Sequence, residues 1–169
     1  MKKTLAALVM IATCSGAFAQ DTASLAQPKV TVSPGSGTTT VYWTSKSIPG
    51  ATTPYITYLA TLMKGQPIRP MVTLDFRDVE KRLGECKEIA WSVDGKRVAP
   101  ASQQYSADEP HKRTVQSLSF IFSVDALASM ISAETKADVC GESFMMDAYA
   151  AKALELFVAQ LRQSDGPGK

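Results

Sequence analysis

Two scarce residue types in this chain could do covalent or metal chemistry: three cysteines and one histidine. Cys14, Cys86 and Cys140 are the cysteines, and His111 is the histidine. A catalytic thiol needs a base beside it, and His111 is the only imidazole on offer. A structural zinc site needs four ligands, and one histidine with Cys86 and Cys140, the two cysteines left if the N-terminal segment holding Cys14 is removed, does not supply them. A CxxC redox pair is excluded because Cys86 and Cys140 stand far apart in sequence.

Where the chain resides decides what the cysteines do. It opens "MKKTLAALVMIATCSGAFAQ". Lys2 and Lys3 form a basic start, Leu5 to Thr13 an apolar stretch, and Ala17-Phe18-Ala19 a small-x-small cleavage site. Residues 1–19 therefore read as a bacterial secretory signal, cut after Ala19. The apolar stretch is too short to span a bilayer, which takes about 20 residues. Lipidation at Cys14 would call for Leu three residues earlier and Gly or Ala just before it; Ile11 and Thr13 stand there instead. With Cys14 lost in the signal, Cys86 and Cys140 are left as an even pair in an oxidising compartment, and a disulfide is the expectation. Closing a loop of that length contributes about 4 kcal/mol by the chain-entropy argument.

Charge narrows the partner. The signal removes Lys2 and Lys3 and no acid, so the 18 Lys+Arg fall by two to match the 16 Asp+Glu. A neutral mature surface lacks the basic field that nucleic acid requires. The densest basic cluster, His111-Lys112-Arg113, follows directly on Asp108-Glu109-Pro110 and is largely cancelled.

Other chemistries leave weaker traces. "GES" at 141–143 is part of a G-x-S-x-G elbow, but Met145 stands where the last Gly belongs. There is no GxxxxGK[ST] or GxGxxG phosphate loop. Asp75, Asp78 and Glu80 are paired acids without a cleft to hold them at a glycosidase distance. His111 with Asp108 and Glu109 could form a sparse three-ligand site. Tyr42, Tyr55 and Tyr105 could bind a sugar or peptide if they face solvent.

These residues must be positioned by the elements around them. Residues 20–29 are small and polar and read as a flexible arm. "KVTVSPGSGTTTVYWTS" holds two β-rich pieces around Pro34-Gly35-Ser36-Gly37. Residues 55–63 combine strand-favouring types with an apolar alternate face, Ile56, Tyr58, Ala60 and Leu62, and are read as strand over helix. In "MVTLDFR", Val72, Leu74 and Phe76 share one face. In "CKEIAWSVDGKRVAP", Asp94-Gly95 suits a two-residue type I′ turn, which pairs Val93 with Lys96 and Trp91 with Val98. Residues 101–114 read as a long polar loop, and such loops are often functional. Leu118, Phe120 and Phe122 form the next strand face.

Ser123 then caps a helix over 124–133, with Val124, Leu127 and Ile131 on one side. "KADVCGESFMM" returns to strand, with Gly141 as a break or bulge. Asp147 caps a final helix whose Ala150, Ala153, Leu154, Phe157, Val158 and Leu161 make one stripe.

The expected fold is α+β. A mostly antiparallel sheet of about six or seven strands, one short helix and a C-terminal helix packed on one face make a single domain over 30–162, before a disordered tail at 163–169. The expected function is a non-catalytic binding or envelope-associated module, periplasmic or secreted, with an unknown protein or envelope ligand and no cofactor. Tyr105, Asp108, Glu109, His111, Lys112 and Arg113 form its candidate contact loop. The alternative is a small hydrolase or metal-dependent enzyme using the same loop.

Overall fold

A computed structural model describes residues 27–45, 54–77, 83, 89–108, 114–131 and 134–164. The expected signal at 1–19 and most of the expected N-terminal arm lie outside these residues. The α+β class holds: among the described residues there are two antiparallel sheets and two helices, with ten strands rather than six or seven.

The large sheet has the order β1-β2-β3-β4-β8-β7. Its strands are β1 (Lys29–Ser33), β2 (Thr38–Thr44), β3 (Tyr55–Leu62), β4 (Met71–Arg77), β7 (Ser102–Asp108) and β8 (Val115–Ile121). The small sheet has the order β10-β9-β5-β6, from β5 (Ile89–Val93), β6 (Lys96–Val98), β9 (Lys136–Val139) and β10 (Glu142–Met145). The helices are α1 (Val124–Ser129) and α2 (Ala148–Ser164).

Alternation of apolar residues puts one face of the large sheet into the core. Val41, Trp43, Tyr58, Ala60, Val72, Leu74, Phe76, Leu118 and Phe120 are all buried on it. That single face is covered by two different elements. Helix α2 lies over β2 and β3, where Phe157 meets Tyr58 with ring centroids 5.8 Å apart and Tyr149 meets Trp43 at 5.4 Å. The small sheet lies over β4 and β8, where Trp91 packs edge-on against Phe120 at 5.4 Å and Phe144 against Phe76 at 5.6 Å. Each fully buried Leu or Phe contributes about 1.5–3 kcal/mol relative to exposure, and each aromatic pair about 0.5–1.5 kcal/mol more.

The α2 stripe is buried at all six expected positions. Asp147 caps the helix, its Oδ1 accepting from Ala150 N at 2.6 Å. The Asp94-Gly95 turn gives the expected register, Val93 opposite Lys96 and Trp91 opposite Val98.

Four local expectations are corrected. Ser102–Asp108 is not loop but edge strand β7, paired along its length with β8. Without it the outer backbone groups of β8 would lack sheet partners. "KADVCGESFMM" is not one strand with a bulge but the hairpin β9–β10. Cys140 (φ 54°) and Gly141 (φ 86°) form its two-residue turn, with the double positive φ of a type I′ turn. Helix α1 stops at Ser129, and the Thr135 hydroxyl donates to Met130 O at 2.8 Å just beyond it. Met130 is consequently buried, while Ile131 is 36% exposed. Lastly, α2 runs through Gln163 to Ser164, into the stretch expected to be tail.

Candidate functional site

The face of the large sheet opposite the core has no buried side chain among its described residues. Strand register sorts it into rows that no single strand reveals. One row is Thr44–Thr57–Thr73–Ser119–Gln104. Its hydroxyls bond in pairs, Thr44 to Thr57 at 3.1 Å and Thr73 to Ser119 at 3.0 Å. The next row is Tyr55–Asp75–Ser117–Ser106, in which the Ser117 hydroxyl donates to Asp75 Oδ1 at 2.6 Å. On the other side runs a more apolar row, Tyr42–Leu59–Met71–Ile121.

Two cations lie on tyrosine rings of this face. The Arg77 guanidinium sits 4.2 Å from the Tyr55 centroid, and Lys29 Nζ lies 5.8 Å from that of Tyr42. Such contacts hold flat aromatic platforms in place and are worth about 0.5–1 kcal/mol when exposed. The face therefore presents ordered hydroxyls, two braced aromatics and the carboxylates of Asp75 and Asp108. That set suits polar adsorption and stacking.

At one end of the face lies a cavity of about 470 Å³. Its floor is the apolar row end, Leu59, Met71 and Ile121, and one wall is the β3–β4 connection with Met63, Pro67 and Arg69. Gly65, at φ 76°, with Gln66 N donating to Met63 O at 3.1 Å, makes the turn that brings this connection back beside the sheet.

Of the residues expected to form a contact loop, Tyr105 and Asp108 are described, and they lie on opposite faces of β7. Tyr105 lies on the core side of β7, half-buried, with its hydroxyl 3.4 Å from Gln116 Oε1, so it is not a solvent platform. Asp108 is exposed at the end of β7 on the open face, opposite Val115. Glu109, His111, Lys112 and Arg113 lie outside the described residues, as do Asp78 and Glu80. Among the described residues no group of three or more His, Cys, Asp or Glu could hold a metal ion. Ser143 is in strand β10, away from any strand-to-helix elbow. No helix among the described residues is long and apolar enough to cross a membrane.

Cys140 is half-buried at its turn and disulfide-bonded. Cys86 lies outside the described residues, so its pairing with Cys140 is carried as a proposal. Chain reach is compatible with it. Ile89 pairs with Val139, and Cys86 precedes Ile89 by three residues, a span of at most about 10 Å.

The hydroxyl rows and the cavity were not foreseen from the sequence. The signal available was the Thr and Ser at alternate positions of β2, β3, β4 and β8, which marks a second face on each strand but not how the faces align. Comparisons with family models, curated proteins and solved structures find no match to this chain.

Proposed function

We propose that this protein is an exported, non-catalytic binding module whose contact surface is the open face of the large sheet. The observation that carries this reading is the asymmetry of that sheet. Every buried residue of its six strands points to one side, while the other side presents register-aligned hydroxyls and two cation-braced tyrosines. Side chains locked into rows lose little entropy on binding, which favours a recognition surface. Export rests on the N-terminal signal pattern, and the Cys86–Cys140 staple fits a periplasmic or secreted setting.

Site-specific photo-crosslinking tests the reading. A photoreactive residue at Thr57 or Thr73 should capture an envelope component, while the same group at Lys152, on the exposed side of α2, should not. No adduct from either open-face site, or the same adducts from Lys152, would overturn it. The enzymatic alternative makes the opposite demand: His111→Ala would have to abolish an activity or metal uptake.

A further inference from the structure

The cavity beside the β3–β4 connection has a composition unlike the rest of the open face. Leu59, Met71 and Ile121 form its apolar floor and come into line because β3, β4 and β8 pair in that register, while Thr61 and Gln66 add neutral polar groups to the lining. Met63, 51% exposed, and Pro67 extend this apolar surface up the wall. Arg69 supplies the single charge among the lining residues. It is exposed and has no carboxylate partner among the described residues. At about 470 Å³ the cavity falls within the range of small-molecule sites.

An apolar floor with one unpaired guanidinium at its rim selects by both hydrophobicity and charge. Hydrocarbon lying on Leu59, Met71 and Ile121 removes apolar area from water. A carboxylate head can take a forked pair of hydrogen bonds from Arg69. A cationic head on the same tail meets Arg69 as a like charge. Methionine side chains adapt to irregular apolar shapes, which suits a flexible chain.

We propose that this cavity binds a soluble amphiphile with an anionic carboxylate head and a short hydrocarbon body, of the chemical class of decanoate. The proposal rests on the reading of the open sheet face as the contact surface, and it names one ligand class for one end of that face.

The test is a titration of the purified protein, labelled with ¹³C at its methionine methyls, with decanoate below its micellar concentration. Met63 and Met71 should shift saturably. Met145, 58% exposed on β10, is the control and should not move. Arg69→Gln should weaken binding about fivefold, the effect of losing one exposed charge pair of about 1 kcal/mol. Decyltrimethylammonium should bind more weakly than decanoate. Silent Met63 and Met71 methyls, an unaffected Arg69→Gln variant, or equal binding of the cationic amphiphile would each overturn the proposal. Cosedimentation with phosphatidylglycerol vesicles that Arg69→Gln abolishes would assign the site to a bilayer surface and also overturn it. Silent methyls together with crosslinks from Thr57 or Thr73 would sink the ligand class alone. Loss of the crosslinks too would sink the binding-face reading.

Discussion

The Tyr58 hydroxyl, in the middle of the large sheet, donates to the Ala150 carbonyl oxygen in the first turn of α2 at 3.1 Å, and Met146 Sδ lies 3.7 Å from it. One buried phenol thus fixes where the C-terminal helix begins against β3. Tyr58→Phe keeps the ring packing against Trp43 and Phe157 but loses this bond. It should destabilise the protein by about 1 kcal/mol in chemical denaturation.

The same phenol gives a pH dependence. Burial, reinforced by the Asp147 charge, raises the Tyr58 ionisation far above its ordinary value of 10.0. Above pH 10.0 the unfolded chain releases this proton and the folded chain retains it, so stability falls as pH rises. The slope reaches about 1.4 kcal/mol per pH unit from this one group. Below pH 10.0 its contribution is constant. Denaturation midpoints of wild type and Tyr58→Phe should therefore converge as pH rises above 10; parallel curves would refute the assignment.

Gln116 is 1% exposed, and its Oε1 accepts from Leu83 N at 3.0 Å, with the Tyr105 hydroxyl 3.4 Å away. It ties the segment at Leu83 to the outer pair of strands, β8 and β7. Gln116→Leu should cost about 1–3 kcal/mol by orphaning the Leu83 amide. Amide exchange should show increased opening at Leu83 and along β7, with β3 and β4 unaffected.

Gly95 has φ 75°, and a Cβ added there would meet nothing within 4 Å. Gly35 is equally open and lacks the positive φ. Gly95→Ala should therefore cost about 1 kcal/mol through backbone strain alone, while Gly35→Ala should be near neutral. Equal effects in thermal unfolding would contradict the type I′ assignment.

The proposed Cys86–Cys140 staple predicts no titratable thiol in the unreduced, denatured mature protein. Reduction should lower stability by about 4 kcal/mol by the chain-entropy argument. Two free thiols in the denatured, unreduced state would remove the disulfide altogether.

Much of the core was legible because local and global signals agreed. The α2 stripe from Ala150 to Leu161 needed only its 3.6-residue spacing, and the Asp94-Gly95 hairpin needed only a turn type plus alternation. Segments failed where one signal was missing. Ser102–Asp108 carries a single inward aromatic, Tyr105, on an edge strand with little to bury, so its alternation is too weak to separate it from a loop. The second hairpin hid because cysteine is not a residue type that announces a left-handed turn position. The rows of the open face, and the meeting of Leu59, Met71 and Ile121, depend on register between strands distant in sequence. No single segment encodes that.

The Ile89–Val139 pairing also bears on the order of folding. Each small-sheet hairpin closes across a two-residue turn, so β5–β6 and β9–β10 are fast, local structures. Joining them demands closure of a loop of some fifty residues that contains β7, β8 and α1. Loop-closure entropy rises with length, so this contact is expected among the late events of folding. A crosslink at Cys86 and Cys140, just past that pair, would hold the two ends together in advance. Oxidation before folding should then accelerate assembly of the small sheet on Phe76 and Phe120, so the redox state of the compartment would govern how quickly the core closes as well as how firmly.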